Sequence, residues 1–263
     1  MNTILITGAG TGIGAAAAKR LSHREGLRLI LMGRRLEPLE AVRASLANSS
    51  VHAVVSMDVS NADALVDWLK GPVAQLGECP LVGVFANAGV GGPNEFGPGD
   101  RWEEIVRINL TGTYNTLMSC YPYLKQAQGV THALVTSSVL ARFGVPGQTA
   151  YVASKTGLLG LVRSLAVEWS SDEIRVNALC PGWVETEMAR NSIQALADAQ
   201  GVSYGEAKAQ QEALLPAGRV SSPEEMALWV DFLFSGLAAG CTKPRVETFT
   251  GQALDVNSGS WMG

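Results

Sequence analysis

The segment Thr7-Gly-Ala-Gly-Thr-Gly-Ile-Gly14 is the strongest indication of the fold when it is considered with the segments on either side of it. The short apolar run Ile4-Leu-Ile6 precedes it, and the alanine-rich segment Ala15 to Arg24 that follows has a helix-forming composition. Glycines let a backbone turn tightly and approach a pyrophosphate, while the amide groups at the start of the next helix point at the phosphates. The order of strand, glycine turn and helix therefore predicts a phosphate-binding turn.

Six more short apolar runs follow, separated by segments with helical spacing. Each run is too short for a helix and is apolar on both faces, which is typical of parallel strands covered by helices on both sides. The runs are Leu29–Met32, Ala53–Val55, Leu81–Phe85, Ala133–Val135, Arg175–Leu179 and Ala253–Val256. We therefore predict an α/β fold, a single Rossmann-type domain over residues 1–263 with a doubly wound parallel sheet of about seven strands flanked by helices.

The segments between the runs are long enough for crossover helices. Ser222 is predicted to cap one of them, with Pro223 in its first turn. Residues 187–216 are rich in alanine and glutamine, and we expect them to form a helical excursion that covers the active site. Helical spacing is clearest over Asp63 to Gln75, Trp102 to Leu124 and Tyr151 to Trp169.

Composition narrows the functional classes. Apolar residues make up 47% of the chain, enough for a substantial core, whereas charged residues make up only 17%, which fits a surface partly covered by sister subunits. The net charge of −4 provides no electrostatic basis for binding nucleic acid or an anionic membrane. No apolar run approaches the ~20 residues of a membrane span.

The positions of the cysteines and histidines help to predict the cellular compartment and whether the chain has a metal site. The three histidines are scattered, so we expect no metal site. The amino-terminal residues have no basic region and no long apolar stretch, so we expect no secretory signal. The cysteines are widely spaced without a Cys-x-x-Cys pair, which predicts reduced thiols in a cytoplasmic protein. They are Cys79, Cys120, Cys180 and Cys241.

Two further short patterns indicate chemistry. Tyr151 and Lys155 lie four residues apart in a predicted helix, so their side chains share one face. A nearby ammonium group favours a phenolate, which makes Tyr151 a candidate proton donor and acceptor. Arg34 and Arg35 follow the second apolar run, where an acidic residue usually binds the adenosine ribose of NAD. Guanidinium groups bind a 2′-phosphate instead, so NADP(H) is favoured and NAD(H) is the alternative.

Taken together, these patterns resemble the short-chain dehydrogenase/reductase family over nearly the whole chain. Besides the glycine motif and the Tyr-Lys pair, the family's ordered motifs are present as Asp58-Val59, Asn87-Ala88-Gly89, Asn109, Ser137-Ser138, Pro181-Gly182, Val184 and Thr186. Three features depart from the family pattern, and one is that no basic residue lies between Gly8 and Gly12, where some NADP-specific members carry one. Asn257-Ser-Gly259 stands where two glycines are usual, and Cys241 to Thr250 is longer than the corresponding loop in many relatives.

The resemblance implies four catalytic residues and a reversible reduction of a ketone to a secondary alcohol by hydride transfer from a nicotinamide. Tyr151 would protonate the carbonyl oxygen, and Ser138 would orient that carbonyl. Lys155 would bind the nicotinamide ribose and lower the pKa of the tyrosine. Asn109 would hold a water molecule in a proton relay.

The resemblance also implies the cofactor contacts. Asp58 would accept a hydrogen bond from adenine, Asn87 to Gly89 would line the adenosine ribose, and the segment after Pro181 would hold the carboxamide. The expected cofactor-binding residues are Gly8, Gly10, Thr11, Gly12, Ile13, Gly14, Arg34, Arg35, Asp58, Val59, Asn87, Ala88, Gly89, Tyr151, Lys155, Pro181, Gly182, Val184 and Thr186.

The expected substrate surroundings are mostly apolar, which favours an apolar or aromatic ketone. They are Ser138, Leu140, Arg142, Phe143, Val145, Gln148, Trp183 and Met188. Arg142 would meet a carboxylate or the phosphate of an acyl-CoA or carrier-linked substrate, or else be a solvated loop residue. The pattern resembles β-ketoacyl and polyketide-type ketoreductases as well as reductases of small ketones.

Two functional classes remain. The alternative to an enzyme is a non-catalytic NADP(H)-binding sensor or scaffold, against which the complete set of proton-relay residues argues. The helices beginning near Trp102 and Tyr151 resemble those through which family members associate, so we expect a homodimer or homotetramer.

Overall fold

The computed structural model describes residues 1–73, 79–242 and 246–263. Within them a sheet of seven parallel strands has the order β3-β2-β1-β4-β5-β6-β7. The direction of strand addition reverses between β1 and β4, which is the topological switch point of a doubly wound fold. This confirms the predicted α/β class. The strands are β1 Asn2–Thr7, β2 Leu27–Gly33, β3 Ala53–Ser56, β4 Leu81–Ala86, β5 Thr131–Thr136, β6 Ile174–Pro181 and β7 Ala253–Val256.

Helices cover both faces of the sheet. Against one face pack Leu117, Leu158 and Leu165, and against the other Leu21 and Phe234, all of them buried. The helices are α1 Gly12–Ser22, α2 Leu36–Ala44, α3 Ala62–Trp68, α4 Trp102–Val106, α5 Gly112–Gln126, α6 Thr149–Glu168, α7 Glu187–Gln200, α8 Tyr204–Ala213 and α9 Pro223–Leu233. Every residue of β4 is buried, because a central strand of such a sheet has no solvent-facing side.

Two predicted helices contain an irregularity that sequence spacing did not reveal. The helix expected over Trp102 to Leu124 is α4 and α5 joined by a π-helical turn, Arg107–Thr111. The helix expected over Asp63 to Gln75 is α3 followed by a π-helical turn, Leu69–Val73, in which Pro72 has no amide hydrogen to donate. Gln75 lies outside the described residues.

The helical structure of the excursion and the cap at Ser222 are as expected, and the role of the excursion in covering the site stays a prediction. Residues 187–216 contain α7 and α8, which are separated at Gly201, a left-handed residue with φ 65°. Ser222 accepts a hydrogen bond from the amide of Glu225, whose carboxylate accepts one from the Ser222 amide. This reciprocal pair, with Pro223 in the first turn, fixes the start of α9.

Two further findings concern the thiols and the helices. All four cysteines are free thiols, and those of Cys120 and Cys180 are buried. In the part of the chain that the structure describes, no helix is both long and apolar enough to cross a bilayer.

His52 is a buried histidine that joins the second strand to the loop before β3. Its Nδ1 accepts a hydrogen bond from the Leu29 amide at 3.1 Å, and its Nε2 lies 2.9 Å from the Ala47 carbonyl oxygen. The neutral ring with a hydrogen on Nε2 satisfies both partners. Burial lowers the pKa of His52, and the hydrogen bond to Ala47 offsets this only in part.

We expect His52 to make stability depend on pH. Because the folded protein binds this proton less readily than the unfolded chain, the contribution is complete above the ordinary histidine value of 6.5 and is lost as the pH falls below it. Urea unfolding at pH 7.5 and 5.5 should show this loss. His52→Asn should cost about 1–3 kcal/mol at pH 7.5 and show a smaller pH-dependent loss. An equal loss in both proteins would contradict the assignment.

Candidate active site

Asn87 joins the carboxyl ends of three neighbouring strands. The amides of Asn87 and Ala88, directly after β4, both donate to Thr7 Oγ1 at 3.0 Å. The Asn87 Nδ2 donates to the carbonyls of Thr7 and Gly8, and its Oδ1 accepts from Thr136 Oγ1 at 3.0 Å. The side chain expected to line the adenosine ribose is therefore engaged within the protein, where it holds β1, β4 and β5 together.

The glycine turn leaves space that any side chain would fill. Gly8 has φ +64°, and a Cβ there would lie 2.9 Å from the Cα of Ala88. A Cβ on Gly14 would collide with the carbonyl oxygen of Gly8, so the start of α1 can approach the turn only with glycine at this position. Gly10 and Gly12 complete the turn, and Ile13 lies in the first turn of the helix.

The amino end of α1 is suited to phosphate. Thr11 occupies the cap position with an extended backbone, yet its side chain accepts no capping hydrogen bond, and the first turn holds no acidic residue. Among the described residues no side chain accepts from the leading amide groups of α1, and the helix dipole favours an anion there. A pyrophosphate fits this donor set and the glycine cradle beside it.

Arg34 and Asp58 lie beyond the ends of the paired strands β2 and β3. Arg34 and Arg35 are exposed, and neither forms an ion pair within the described ranges. Asp58 Oδ1 accepts hydrogen bonds from the Ser60 amide at 2.9 Å and the Ser60 hydroxyl at 2.8 Å. Burial raises the pKa of Asp58, but the Ser60 bonds and the charges of Arg107 and Arg34 outweigh it, so the net shift is downward. Asp58 is thus an ionised acceptor.

Val59 and Arg107 complete this end of the site. Val59 is buried, and its Cγ2 lies so close to Gly112 that a Cβ there would come within 2.6 Å. Arg107 lies 4.0 Å from Asp58 and also contacts the Ser60 hydroxyl. The sequence did not single out Arg107, because only the fold brings the π-helical turn beside the loop after β3.

The segment after β6 returns to the glycine turn. The Gly182 amide donates to the Val256 carbonyl at 3.2 Å, and Pro181 is the last residue of the strand. Val184 pairs with Ser221 in an isolated bridge. Thr186 caps α7, and its Cγ2 is 3.0 Å from where a Cβ on Gly12 would lie. The residues expected at the nicotinamide therefore adjoin those expected at the phosphates.

Ser138, Tyr151 and Lys155 come together from two elements. Ser138 follows β5, and its Oγ accepts from the Leu140 amide at 3.1 Å and lies near enough to the Tyr151 side chain to influence the pKa of that hydroxyl. Tyr151 lies in the first turn of α6. One turn later, Lys155 Nζ lies 5.6 Å from the Tyr151 ring centroid and donates to the Thr136 carbonyl at 2.8 Å.

Burial is the largest influence on the pKa values of Tyr151 and Lys155. It raises the pKa of Tyr151, and the hydrogen bond with Ser138 offsets this only in part. It also lowers the pKa of Lys155 to about 8. The lowered tyrosine pKa that the family resemblance implied is therefore not what the structure has, because desolvation opposes both charged forms. Near neutral pH, Tyr151 carries its proton and can act as an acid.

Asn109 is buried within the π-helical turn. Its Oδ1 accepts from the Val90 amide at 2.8 Å, and its Nδ2 donates to the Val90 carbonyl at 2.9 Å and to Ser154 Oγ at 3.3 Å. Gly89 lies between the side chains of Asn109 and Lys155, because a Cβ there would be 3.1 Å from Asn109 Oδ1 and 3.5 Å from Lys155 Nζ. Asn109 thus reaches the neighbourhood of Lys155 across a glycine.

Arg142 is neither solvated nor free. Its guanidinium donates twice to Asp255 in β7, at 3.2 and 2.9 Å, and lies 4.7 Å from the Trp261 ring centroid. Neither Asp255 nor Trp261 was singled out from sequence, since both are more than 100 residues away along the chain.

The other expected substrate residues are divided between the site rim and α7. Trp183 packs on the small cluster of Ile193, Ala197 and Ala207. Met188 lies against Gly91, with Sδ 2.9 Å from the position of a Cβ on that glycine. Leu140 and Gln148 are half-buried, whereas Phe143, Val145 and Met188 are exposed by 37 to 41%. The rim is therefore apolar.

Known proteins resemble this chain in both sequence and fold. The family model described as short chain dehydrogenase matches residues 2–197. The chain is 32% identical over 261 residues to the 3-oxoacyl-(acyl-carrier-protein) reductase FabG of Aggregatibacter actinomycetemcomitans, covering 98% of each. It is 33% identical over 256 residues to levodione reductase of Leifsonia aquatica, covering 95% of this chain and 93% of the relative.

A solved structure extends the comparison to three dimensions. The crystal structure of an actinorhodin polyketide ketoreductase variant with NADPH superposes with a TM-score of 0.86 at 31% identity, covering 98% of this chain and 97% of that one. The family match, the sequence relatives and the fold agree. The chain is a member of the short-chain dehydrogenase family of oxidoreductases.

Proposed function

We propose that the protein is an NADP(H)-dependent carbonyl reductase that reduces a ketone to a secondary alcohol, reversibly. The observation that carries the proposal is the meeting of Ser138, Tyr151 and Lys155 beside the glycine turn. A protein that only sensed the cofactor would have no use for a buried, protonated tyrosine placed beside a serine and a lysine.

The residues of the chain would divide the proton chemistry among them. When bound, the cofactor supplies the hydride that reduces the carbonyl carbon. Ser138 would donate its hydroxyl hydrogen to the carbonyl oxygen, and Tyr151 would transfer its proton to the same oxygen as negative charge develops there. Lys155, anchored at the Thr136 carbonyl, would stabilise the phenolate that remains. Asn109, beyond Gly89, would support reprotonation through water.

Cofactor binding is assigned to the expected residues after each strand. The glycine turn and the amino end of α1 would hold the pyrophosphate, Asp58 and Val59 the adenine, and the segment Pro181 to Thr186 the carboxamide. Arg34 and Arg35 would bind the 2′-phosphate. Both arginines are exposed, and within the described residues neither is held in an ion pair of 4 Å or less, which supports this assignment, as does the NADPH in the related polyketide ketoreductase structure.

The substrate is proposed to be a neutral ketone with an apolar body. Arg142 is the charged residue that would have met an anionic arm, and its guanidinium is already bound by Asp255 and stacked on Trp261. The rim of Phe143, Val145 and Met188 would contact apolar groups. The free thiols support a cytoplasmic location.

The Tyr151→Phe variant tests catalysis directly. Removing the proton donor should lower kcat about 10²- to 10⁴-fold while NADPH binding stays within about twofold. Turnover would be followed by NADPH absorbance with a panel of neutral ketones and a 3-oxoacyl-CoA thioester. NADPH binding with no turnover by the parent protein on any substrate would favour the sensor alternative, and preference for the thioester would contradict the neutral-ketone assignment.

The Arg34→Asp variant tests the cofactor. Loss of a charged hydrogen bond of about 1.5–3 kcal/mol, with added repulsion of the 2′-phosphate, should weaken NADPH binding by about 10- to 100-fold or more and leave NADH binding much less affected. Fluorescence titration measures both. Lys70→Asp makes the same charge change at an exposed position beyond the far end of α3 and should alter neither affinity. Tighter binding of NADH by the parent would contradict the assignment.

Self-association is proposed through the α4–α5 and α6 helices. Trp102, Tyr114 and Val167 on these helices are 40%, 47% and 76% exposed, which is apolar surface suited to burial between copies. Size-exclusion chromatography with light scattering should give the mass of a dimer or a tetramer at micromolar concentration. A stable monomer would contradict the proposal.

A further inference from the structure

The helix that carries Tyr151 begins without a cap of its own. Gln148 occupies the cap position of α6, but its side chain makes no capping hydrogen bond, and the first turn has no acidic residue. The leading amide groups of a helix have no partners within the helix and need acceptors from elsewhere. Tyr151 is the third residue of this turn, so whatever satisfies these amides also sets the position of its side chain.

Asn94 supplies the missing acceptor from a distant part of the chain. It lies in the loop between β4 and α4 and is buried. Its Oδ1 accepts hydrogen bonds from the Ala150 amide at 2.8 Å and the Thr149 hydroxyl at 3.1 Å. The backbone amide of Asn94 donates to the Gly147 carbonyl at 2.9 Å. The start of α6 is therefore held from both its backbone and its side-chain groups.

The nitrogen of the Asn94 side-chain amide contacts the start of a second helix. Asn94 Nδ2 donates to Asp100 Oδ1 at 3.2 Å, and that oxygen also accepts from the Trp102 amide at 3.0 Å, at the start of α4. Four residues before Asn94, the backbone of Val90 is paired with Asn109. One loop is thus bound to the helical segment of Asn109 and to the helix of Tyr151.

We propose that Asn94 is a positioning residue that sets the distance between the Tyr151 hydroxyl and Ser138. The inference rests on the proposed reductase function. Ser138 is fixed at the end of β5, whereas Tyr151 follows directly on Ala150, whose amide Asn94 holds. A shift of the first turn of α6 moves the proton donor relative to the hydroxyl that orients the carbonyl, and a misplacement of about 1 Å costs on the order of 10²-fold in rate.

The contacts that hold Lys155 do not involve Asn94. Removing Asn94 is therefore expected to affect Tyr151 more than Lys155. Its Nζ donates to the Thr136 carbonyl, and its carbonyl accepts from Ser137 Oγ at 2.8 Å. These contacts tie the second turn of α6 to the end of β5 without Asn94. Loss of Asn94 should therefore impair proton transfer while the cofactor still binds.

The test compares Asn94→Ala with Ser222→Ala, which removes the cap of α9, a helix without any proposed catalytic residue. With NADPH and the best ketone of the panel, Asn94→Ala should lower kcat about 10- to 100-fold, with the Kd for NADPH within about twofold of the parent value. Ser222→Ala should lower the unfolding midpoint comparably and leave kcat within about twofold. A kcat for Asn94→Ala within twofold of the parent, or an equal loss in Ser222→Ala, would overturn the proposal.

A double variant provides the rescue. Asn94→Asp alone places two carboxylates together, whereas Asn94→Asp with Asp100→Asn exchanges donor and acceptor between the two positions. The carboxylate at 94 would accept from Ala150, and the amide at 100 would donate to it while its oxygen still accepts from Trp102. The exchange should recover most of the kcat lost in the single variant. A double variant as impaired as Asn94→Ala would count against positioning through these bonds.

Hydrogen–deuterium exchange separates this inference from the proposed function. In Asn94→Ala the amides of Ala150 and Tyr151 should exchange at least about tenfold faster than in the parent and in Ser222→Ala, with or without a substrate. If the parent reduces no ketone, the proposed function fails while this measurement still reports on the cap. Unchanged exchange at the start of α6 would overturn the inference by itself.

Discussion

The hydrogen bonds of Asn87 are the constraint on which the rest of the site depends. Parallel strands present their carboxyl ends at one edge of the sheet, but those ends carry peptide groups that the sheet itself leaves unpaired. Asn87 satisfies groups on β1 and accepts from Thr136 at the end of β5. Since the Thr136 carbonyl in turn anchors Lys155, the glycine turn and the proton-transfer residues are parts of one hydrogen-bonded edge.

Burial at this edge determines the chemistry as much as the identity of the residues does. It keeps Tyr151 protonated and brings the pKa of Lys155 to about 8, so the proposed acid lies beside an ammonium group that loses its proton more readily than an exposed lysine. At the adenosine end the opposite holds, because hydrogen bonds and arginine charges keep Asp58 ionised despite its burial. A buried proton donor and an ionised acceptor suit the two ends of a nicotinamide dinucleotide.

The loop after β4 connects these features to the helices. Val90 in this loop is hydrogen-bonded to Asn109, and Asn94 is hydrogen-bonded to the start of α6. Side-chain amides therefore hold a segment with little regular structure at two points. Arg142, which was expected near the substrate, is instead paired with Asp255 and stacked on Trp261.

The sequence by itself was enough for the order of strands and helices, the glycine turn and the family, and it predicted the residues that we propose carry the proton chemistry. These depend on local patterns, such as apolar runs, glycines at a strand end and the four-residue spacing of Tyr151 and Lys155. Only the tertiary structure decided the π-helical turn around Asn109, the direction of the Tyr151 pKa shift, the pairing of Arg142 and the capping of α6 by Asn94. Each of these depends on burial or on contacts between residues far apart in the chain, and no local spacing encodes the distance between such residues.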